Sequence, residues 1–430
     1  MRIASSMIYD SGVAAMQKQT AAMLHTQQQV SSGKRMLSPS DDPLAAARAL
    51  EVSQSSANNN QTLSNQKAAA ESLGLVENSL ASVGDLIQSV RTLAVQAGNA
   101  ALTDNDRRSI AADMRQNFTE LLGLANAADS AGQYQFSGYM GATKPFSGSV
   151  ESGVAYAGDD GQRLMQVSSS RQIAASDSGN DIFMRMRNGN GTFVTTATNT
   201  NTGAGIIDAG ATLDPSKWNT AANSKNFTLR FAVNNAVLPP VTTYDIVDNV
   251  SGNSLLTGAA PGAAPYPRVY QPGQAINFKS QGAEPVFDFG AQLTVNGQPA
   301  NGDSFSVQAS SSQSVFTTIT NLINALETSN SSSANATLLA NRLGNALTNL
   351  DQASNNILTV RASVGSRMNE LDLLTNVGQD LNLQYQQSLS NLQDLDYAAA
   401  ITKLTQQQTT LDAAQKSFMK VTGLSLFNFI

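Results

Sequence analysis

The chain has 430 residues, long enough for two or three domains and a sizeable core. Charged residues make up 13% and the net charge is −6, with no basic stripe, which disfavours a nucleic-acid partner. There is no cysteine, which excludes disulfides and thiolate metal sites and suits a chain that must travel unfolded without oxidising.

The start, MRIASSMIYDSGVAAMQ, has no apolar run of signal-peptide length and no small-residue cleavage motif. Any export is therefore expected to leave the N-terminus attached. No stretch is long and apolar enough to predict membrane insertion. Val13, Met16, Thr20, Met23, Gln27 and Val30 then follow a 3-4 spacing, the pattern of a short helical seam.

That seam ends in SSGKRMLSPSDDPLAAARAL, residues 31–50. Gly33 can close a helix in the left-handed conformation, and Pro43 can open the next because its missing N–H would be unpaired there. Ser40, Asp41 or Asp42 can accept the free N–H groups and oppose the positive helix end. Gly33 and Lys34 lack the glycine partner of a phosphate loop, so a helix–loop–helix corner is expected.

After the corner, Leu73, Val76, Leu80, Val83, Ile87, Val90, Ala94 and Ala97 keep a regular seam. A helix from Pro43 to about Gly98 would be roughly 80 Å long. A third helix is predicted after Thr103, capped with Asp106, with Ile110, Met114, Leu121, Leu124 and Ala128 on its buried side. Between about Ala131 and Ala309, Gly, Pro, Asn and Thr become frequent, and runs such as FTLRFAV, TTYDIV, AINFK and FDFGAQLTV alternate with Asn-Gly turns. This predicts an all-β insertion.

Helices return with SVFTTITNLINALE, then a Ser/Asn-rich turn from Ser329 to Asn335. An unbroken 3-4 seam follows from Leu339 through Leu350, Ile357, Val364, Leu371 and Leu381 to Leu395. Beyond Leu395 that register would place Thr402, Gln406, Lys416 and Lys420 on the seam, whereas Ala400, Leu404, Gln407, Leu411, Ala414, Phe418 and Val421 define a different one. The helical material is thus cut near LQDLDY, Leu392 to Tyr397. The expected fold is mainly α, an elongated helical rod of coiled-coil type built by both chain ends, with an inserted all-β domain. Its expected domains are residues 1–42 with 396–430, residues 43–131 with 310–395, and the insertion 132–309.

No catalytic constellation emerges, and neither a cofactor nor a metal is expected. His25 is the one histidine and has no orienting acid near it in sequence. Asp288-Phe289-Gly290 spells a kinase triplet without the rest of a kinase. Gly158-Asp159-Asp160-Gly161 supplies too few alternating oxygens for calcium, and YAGDDGQRLMQV reads as strand, turn, strand. Asn226-Phe227-Thr228 would accept a glycan only in a compartment that the sequence does not indicate.

The blocks SGKR, PSDDP and AAARAL, with DYAAAITKLTQQQ and the SLFNFI ending, resemble the flagellin superfamily, with the nearest likeness among its hook-filament junction members. The likeness covers roughly the first 140 and last 120 residues. It is weak in the insertion, except at YAGDDGQRLMQV and RNGNGTF. Ser32 and Ser38 stand where members often carry threonine and keep the hydroxyl. The resemblance implies a non-enzymatic chain secreted unfolded through the flagellar export channel to the extracellular flagellum. It further implies a ring of identical subunits, with hook-associated protein one, flagellin, the filament cap protein and an export chaperone as partners.

Each terminal segment carries an isolated seam interrupted at Thr20, Gln27 or Gln407, too weak to secure a lone helix in water. Both are expected to be poorly ordered alone and to fold on meeting, with Val13, Met16, Met23 and Val30 packing against Leu404, Leu411, Phe418 and Val421 of the same and neighbouring subunits. An ordinary intramolecular hairpin is the competing expectation. Gly33, Ser40, Asp41, Asp42 and Pro43 on one side, and Asp394 and Asp396 on the other, should then lie at similar height. A filament subunit and an adhesin displaying the β insertion stay open as further possibilities.

Overall fold

The structure is a computed structural model and describes residues 5–328 and 333–423. Its helices are α1 (Ser5–Ser32), α2 (Pro43–Ala97), α3 (Asp104–Ala125), the single turn α4 (Pro215–Trp218), α5 (Val315–Thr328), α6 (Ser333–Gln393) and α7 (Tyr397–Gly423). Strands occupy the span from Phe146 to Gln313, so helical ends flank a β-rich insertion.

The chain divides into two compact units. The first comprises residues 1–67, 166–170 and 372–430; the second comprises residues 68–165 and 171–371. This grouping cuts within α2 and α6 rather than at the corner between α1 and α2.

In the first unit α1 lies antiparallel to α7. Tyr9 and Phe418 pack at one end with ring centroids 5.2 Å apart, while Gly33 meets Tyr397 at the other. The early part of α2 packs on the last part of α6: Asn59 Nδ2 donates to the Gly378 carbonyl at 2.7 Å. Gly378 permits a close approach here: a Cβ on it would stand 2.8 Å from the end of the Leu63 side chain, which would have to shift. Gln66, buried, donates to the Val167 carbonyl at 2.7 Å and so ties down the short 166–170 segment.

In the second unit the α2 seam from Leu73 to Ala97 is buried at every predicted position. The same holds for Leu339, Leu343, Ala346, Leu350, Ala353, Ile357, Val364 and Leu371 of α6. Ion pairs Arg361–Glu77 at 2.6 Å and Arg91–Asp351 at 2.8 Å flank the seams. Thr103 and Asp106 form the reciprocal capping box that starts α3. The buried side of α3 runs through Ile110, Met114, Phe118, Leu121 and Ala125. Leu124 is half-buried and Ala128 is exposed, because the helix ends at Ala125 and the backbone turns away. Phe118 and Phe146 pack on Phe316 of α5, at 5.6 and 5.7 Å between centroids.

The insertion is built on two antiparallel sheets. In one, the strands run in the order Arg268–Val269, Val241–Asp248, Asn226–Asn234, Ser304–Ala309 and Phe193–Ala197. In the other, Asp288–Asn296 pairs with Ala275–Lys279 and Ile206–Ile207. Alternating apolar residues from both sheets meet in one core. Phe227 bridges them, 5.5 Å from Phe289 and 5.3 Å from Phe278.

The hairpin expected in YAGDDGQRLMQV does not form, and RNGNGTF likewise joins strands that do not pair with each other. The strands Gly153–Tyr156 and Leu164–Gln166 pair with Phe146–Ser149 and Gln172–Ala174, not with each other. Asp159 lies in the connection and accepts from the Tyr139 and Gly161 N–H groups at 3.0 and 2.7 Å, which fixes a turn rather than a hairpin. In RNGNGTF, the strand at Arg187 pairs with Ser312–Gln313 and the strand from Phe193 with Ser304–Ala309, so the Asn-Gly residues link strands with different partners. Of the predicted Ser/Asn turn, 329–332 lie outside the described residues, and α6 already starts at Ser333.

Three asparagines on α6 grip the insertion by its backbone. Asn341, buried, accepts from the Ile207 N–H at 2.9 Å and donates to the carbonyls of Gly205 at 3.0 Å and Thr337 at 2.9 Å. Asn349 accepts from the Gly189 N–H at 2.7 Å, and Asn356 donates to the carbonyls of Asp181 and Ile182 at 3.0 Å. At spacings near seven they share one helix face beside the apolar seam.

Candidate assembly interface

The corner after α1 is organised by side chains that the sequence offers and by one glycine that it requires. Gly33 has φ +70°, and its carbonyl accepts from the Leu395 N–H at 3.0 Å. A Cβ there would stand 2.8 Å from the Tyr397 hydroxyl. Asp42 caps α2 by accepting from the Ala45 N–H at 3.0 Å, with Pro43 as the first helical residue. Asp396 caps α7 in the same way from Ala399 at 3.1 Å. Both use the cap geometry that satisfies orphan N–H groups.

Asp41 does something different. Its Oδ2 accepts from the Leu37 and Ser38 N–H groups at 2.8 and 2.9 Å, and its Oδ1 lies 3.3 Å from His25 Nε2. The Ser38 and Leu37 N–H groups hold its carboxyl below the usual carboxylate range, with His25 adding to the effect. His25 thus has an acidic neighbour, brought from sixteen residues away by the corner. Ser40 bonds the Ser38 hydroxyl at 2.7 Å and caps no helix.

The two breaks meet. Lys34 and Asp394 form an antiparallel bridge, and the Arg35 N–H donates to the Gln393 carbonyl at 2.7 Å. The Arg35 guanidinium reaches the Leu392 carbonyl at 3.0 Å and Asp42 at 3.5 Å, so one side chain spans both corners. Asp394 and Asp42 therefore lie at one level. An open groove of about 660 Å³, lined by Met36, Leu37, Pro39, Ala46 and Leu50 among others, runs beside this junction.

Along the helix pair, Val13, Met16, Met23, Val30, Leu404, Leu411 and Phe418 are all half-buried. The Val421 side chain lies outside the described residues. Met7, Tyr9 and Leu24 on α1 and Ile401 and Met419 on α7 are exposed by 50–66%. Gln407 Oε1 is buried without a partner among the described residues. The pair is thus a thin two-helix layer, covered on one side at most, with apolar side chains left facing outward. That surface suits side-by-side packing of helices, not acid–base chemistry. Among the described residues no group of three or more His, Cys, Asp or Glu is placed to hold a metal. No described helix is long and apolar enough to cross a membrane.

Helical chain ends paired antiparallel, joined through matched corners and separated in sequence by a β-rich insertion, define a flagellin-type subunit. The family models for the bacterial flagellin N-terminal and C-terminal helical regions match residues 3–140 and 347–430. The chain belongs to the flagellin superfamily. It is 27% identical over 428 residues, 99% of both chains, to flagellar hook-associated protein 3 of Escherichia coli. Among solved structures it is similar to the flagellar junction protein FlgL from Legionella pneumophila, with TM-score 0.68 and 28% identity, over 81% of this chain and 100% of that one. Xanthomonas campestris FlgL gives TM-score 0.66 and 28% identity over 79% and 99%. A flagellin from Listeria monocytogenes matches over only 114 residues, 26% of this chain.

Proposed function

We propose that this chain is a structural, non-enzymatic subunit of the bacterial flagellum that joins hook to filament. The observation that carries this reading is end-to-end correspondence with hook-associated protein 3, against a match to the Listeria flagellin confined to 114 residues, 26% of the chain. In this role identical subunits close into a ring outside the cell. Hook-associated protein one lies on the hook side and flagellin on the other, and the cap protein is present during growth. The chain reaches that place unfolded, with its N-terminus uncleaved and its C-terminal helix held by a chaperone.

The joint forms because the helix pair completes its burial only among neighbours. Covering the outer half of side chains such as Met7, Leu24, Ile401 and Met419 is worth about 1 kcal/mol each at ~25 cal/mol per Å². Several kcal/mol per subunit result, partly offset by ordering two helices. Heterologous contacts of this kind can close as a ring.

Imaging motile cells that lack the chain tests the role. Bare hooks, with flagellin released into the medium, are expected; normal filaments would overturn it. Amide exchange on the isolated subunit tests the mechanism: α1 and α7 are expected to exchange far faster than α2 and α6. Equal protection would end the coupling of folding to assembly while leaving the junction role intact.

A further inference from the structure

In the second unit, α5, α6 and the strands Phe193–Ala197 and Ser304–Ala309 border an open groove of about 620 Å³, a volume typical of small-molecule sites. Its lining mixes amide and hydroxyl side chains with the apolar Val194, Ala325 and Ala346. Asn321 and Asn324 come from α5, Arg342 and Asn345 from α6, and Thr196 and Gln308 from the strands. No carboxylate and no aromatic ring lines it. Arg342 is its one charged residue. It donates to Asn199 Oδ1 at 3.1 Å and forms no ion pair among the described residues. The side-chain amides of Gln308, Asn321, Asn324 and Asn345 likewise have no partner among the described residues. The backbone near the groove is already held by Asn341 and Asn349, so these free amides are not needed to hold the fold.

We propose that this groove binds an acidic saccharide. Convergent amides that offer both donor and acceptor match vicinal hydroxyls, which do the same. A guanidinium with no acidic partner among the described residues, in a net-acidic chain, matches one carboxylate through a charge-assisted, bidentate contact. The missing aromatic platform means that affinity comes from hydrogen bonds and this one charge, so binding is weak and falls with salt.

Saturation-transfer NMR on the full chain tests this with 3′-sialyllactose as the acidic probe, lactose as the same core without the acid, and sodium sulfate as a bare anion. Sialyllactose is expected to bind about tenfold or more tightly than lactose, the effect of one charge-assisted hydrogen bond. Arg342→Gln should abolish that preference, and Asn345→Ala should weaken binding several-fold, both with unchanged thermal unfolding. Three results would each overturn the proposal: no transfer to sialyllactose at about 10 mM, equal binding of lactose, or sulfate displacing sialyllactose with equal affinity. Undiminished binding by Arg342→Gln would place the saccharide elsewhere and overturn it as well.

Discussion

Replacing Gly33 by alanine isolates the contribution of the corner. At φ +70° an L-residue pays roughly 1–2 kcal/mol relative to glycine. About 0.4–1 kcal/mol returns through the stiffer unfolded chain. The new Cβ would also stand 2.8 Å from the Tyr397 hydroxyl. That hydroxyl ends a side chain that is half exposed, so it can swing aside at small cost. The net is about 0.5–1.5 kcal/mol against the closed corner, or roughly a 2–12-fold rise in its opening. The reporters are the Leu395 and Arg35 amides, whose bonds to Gly33 and Gln393 hold the breaks together. Their hydrogen exchange should accelerate by that factor while amides within α3 and α5 stay unchanged. Gly33→Asn, which tolerates the left-handed conformation, should restore most of the protection. Unchanged exchange in the alanine variant would refute the requirement for glycine here, and equal effects of Ala and Asn would refute the backbone explanation.

Asn341→Leu should destabilise the chain by about 2–5 kcal/mol in denaturant unfolding, since it strands the Ile207 N–H and Gly205 carbonyl in a buried site; a loss below about 1 kcal/mol would contradict that account. Gln407→Leu should stabilise the α1–α7 pair by about 1–3 kcal/mol by removing a buried, unpartnered oxygen, seen as slower exchange in α7. Burial pushes Glu284 up, but Arg268, bonded to it at 2.6 and 2.9 Å, overcomes this and leaves its carboxyl below the ordinary 4.5. A lowered folded value means the pair's contribution is present above about pH 4.5 and is lost as pH falls through the lower folded value. Glu284→Gln should therefore flatten the acid limb of the stability profile, and an unchanged limb would count against it.

Local periodicity carried most of the helical architecture. The seam from Leu339 to Leu371 and the Thr103–Asp106 box each depend on residues within a few positions of one another, and the structure realises both. Past Leu371 the same spacing continues, yet Leu374 and Tyr385 are only half-buried and Leu381 is 36% exposed, because spacing shows which residues share a face and not whether anything covers it. At the corner, composition marked the right residues but not their separate duties. Only coordinates assign Asp42 to the cap, Asp41 to the loop and His25, and Arg35 to both breaks. In the insertion, individual strands were legible. Their order was not, since Phe193–Ala197 pairs with Ser304–Ala309 across more than a hundred residues. The role of the α6 asparagines was not legible, since no local signal separates an amide that meets water from one that meets a distant peptide group.

Those asparagines address the peptide groups of the insertion, which every residue but proline carries in full, and not the side chains. Mutations that recolour the loops around Asp181, Gly189 and Gly205 can therefore accumulate without loosening the clasp, provided the chain path is kept. The clasp therefore tolerates sequence change in the insertion that leaves the backbone path intact.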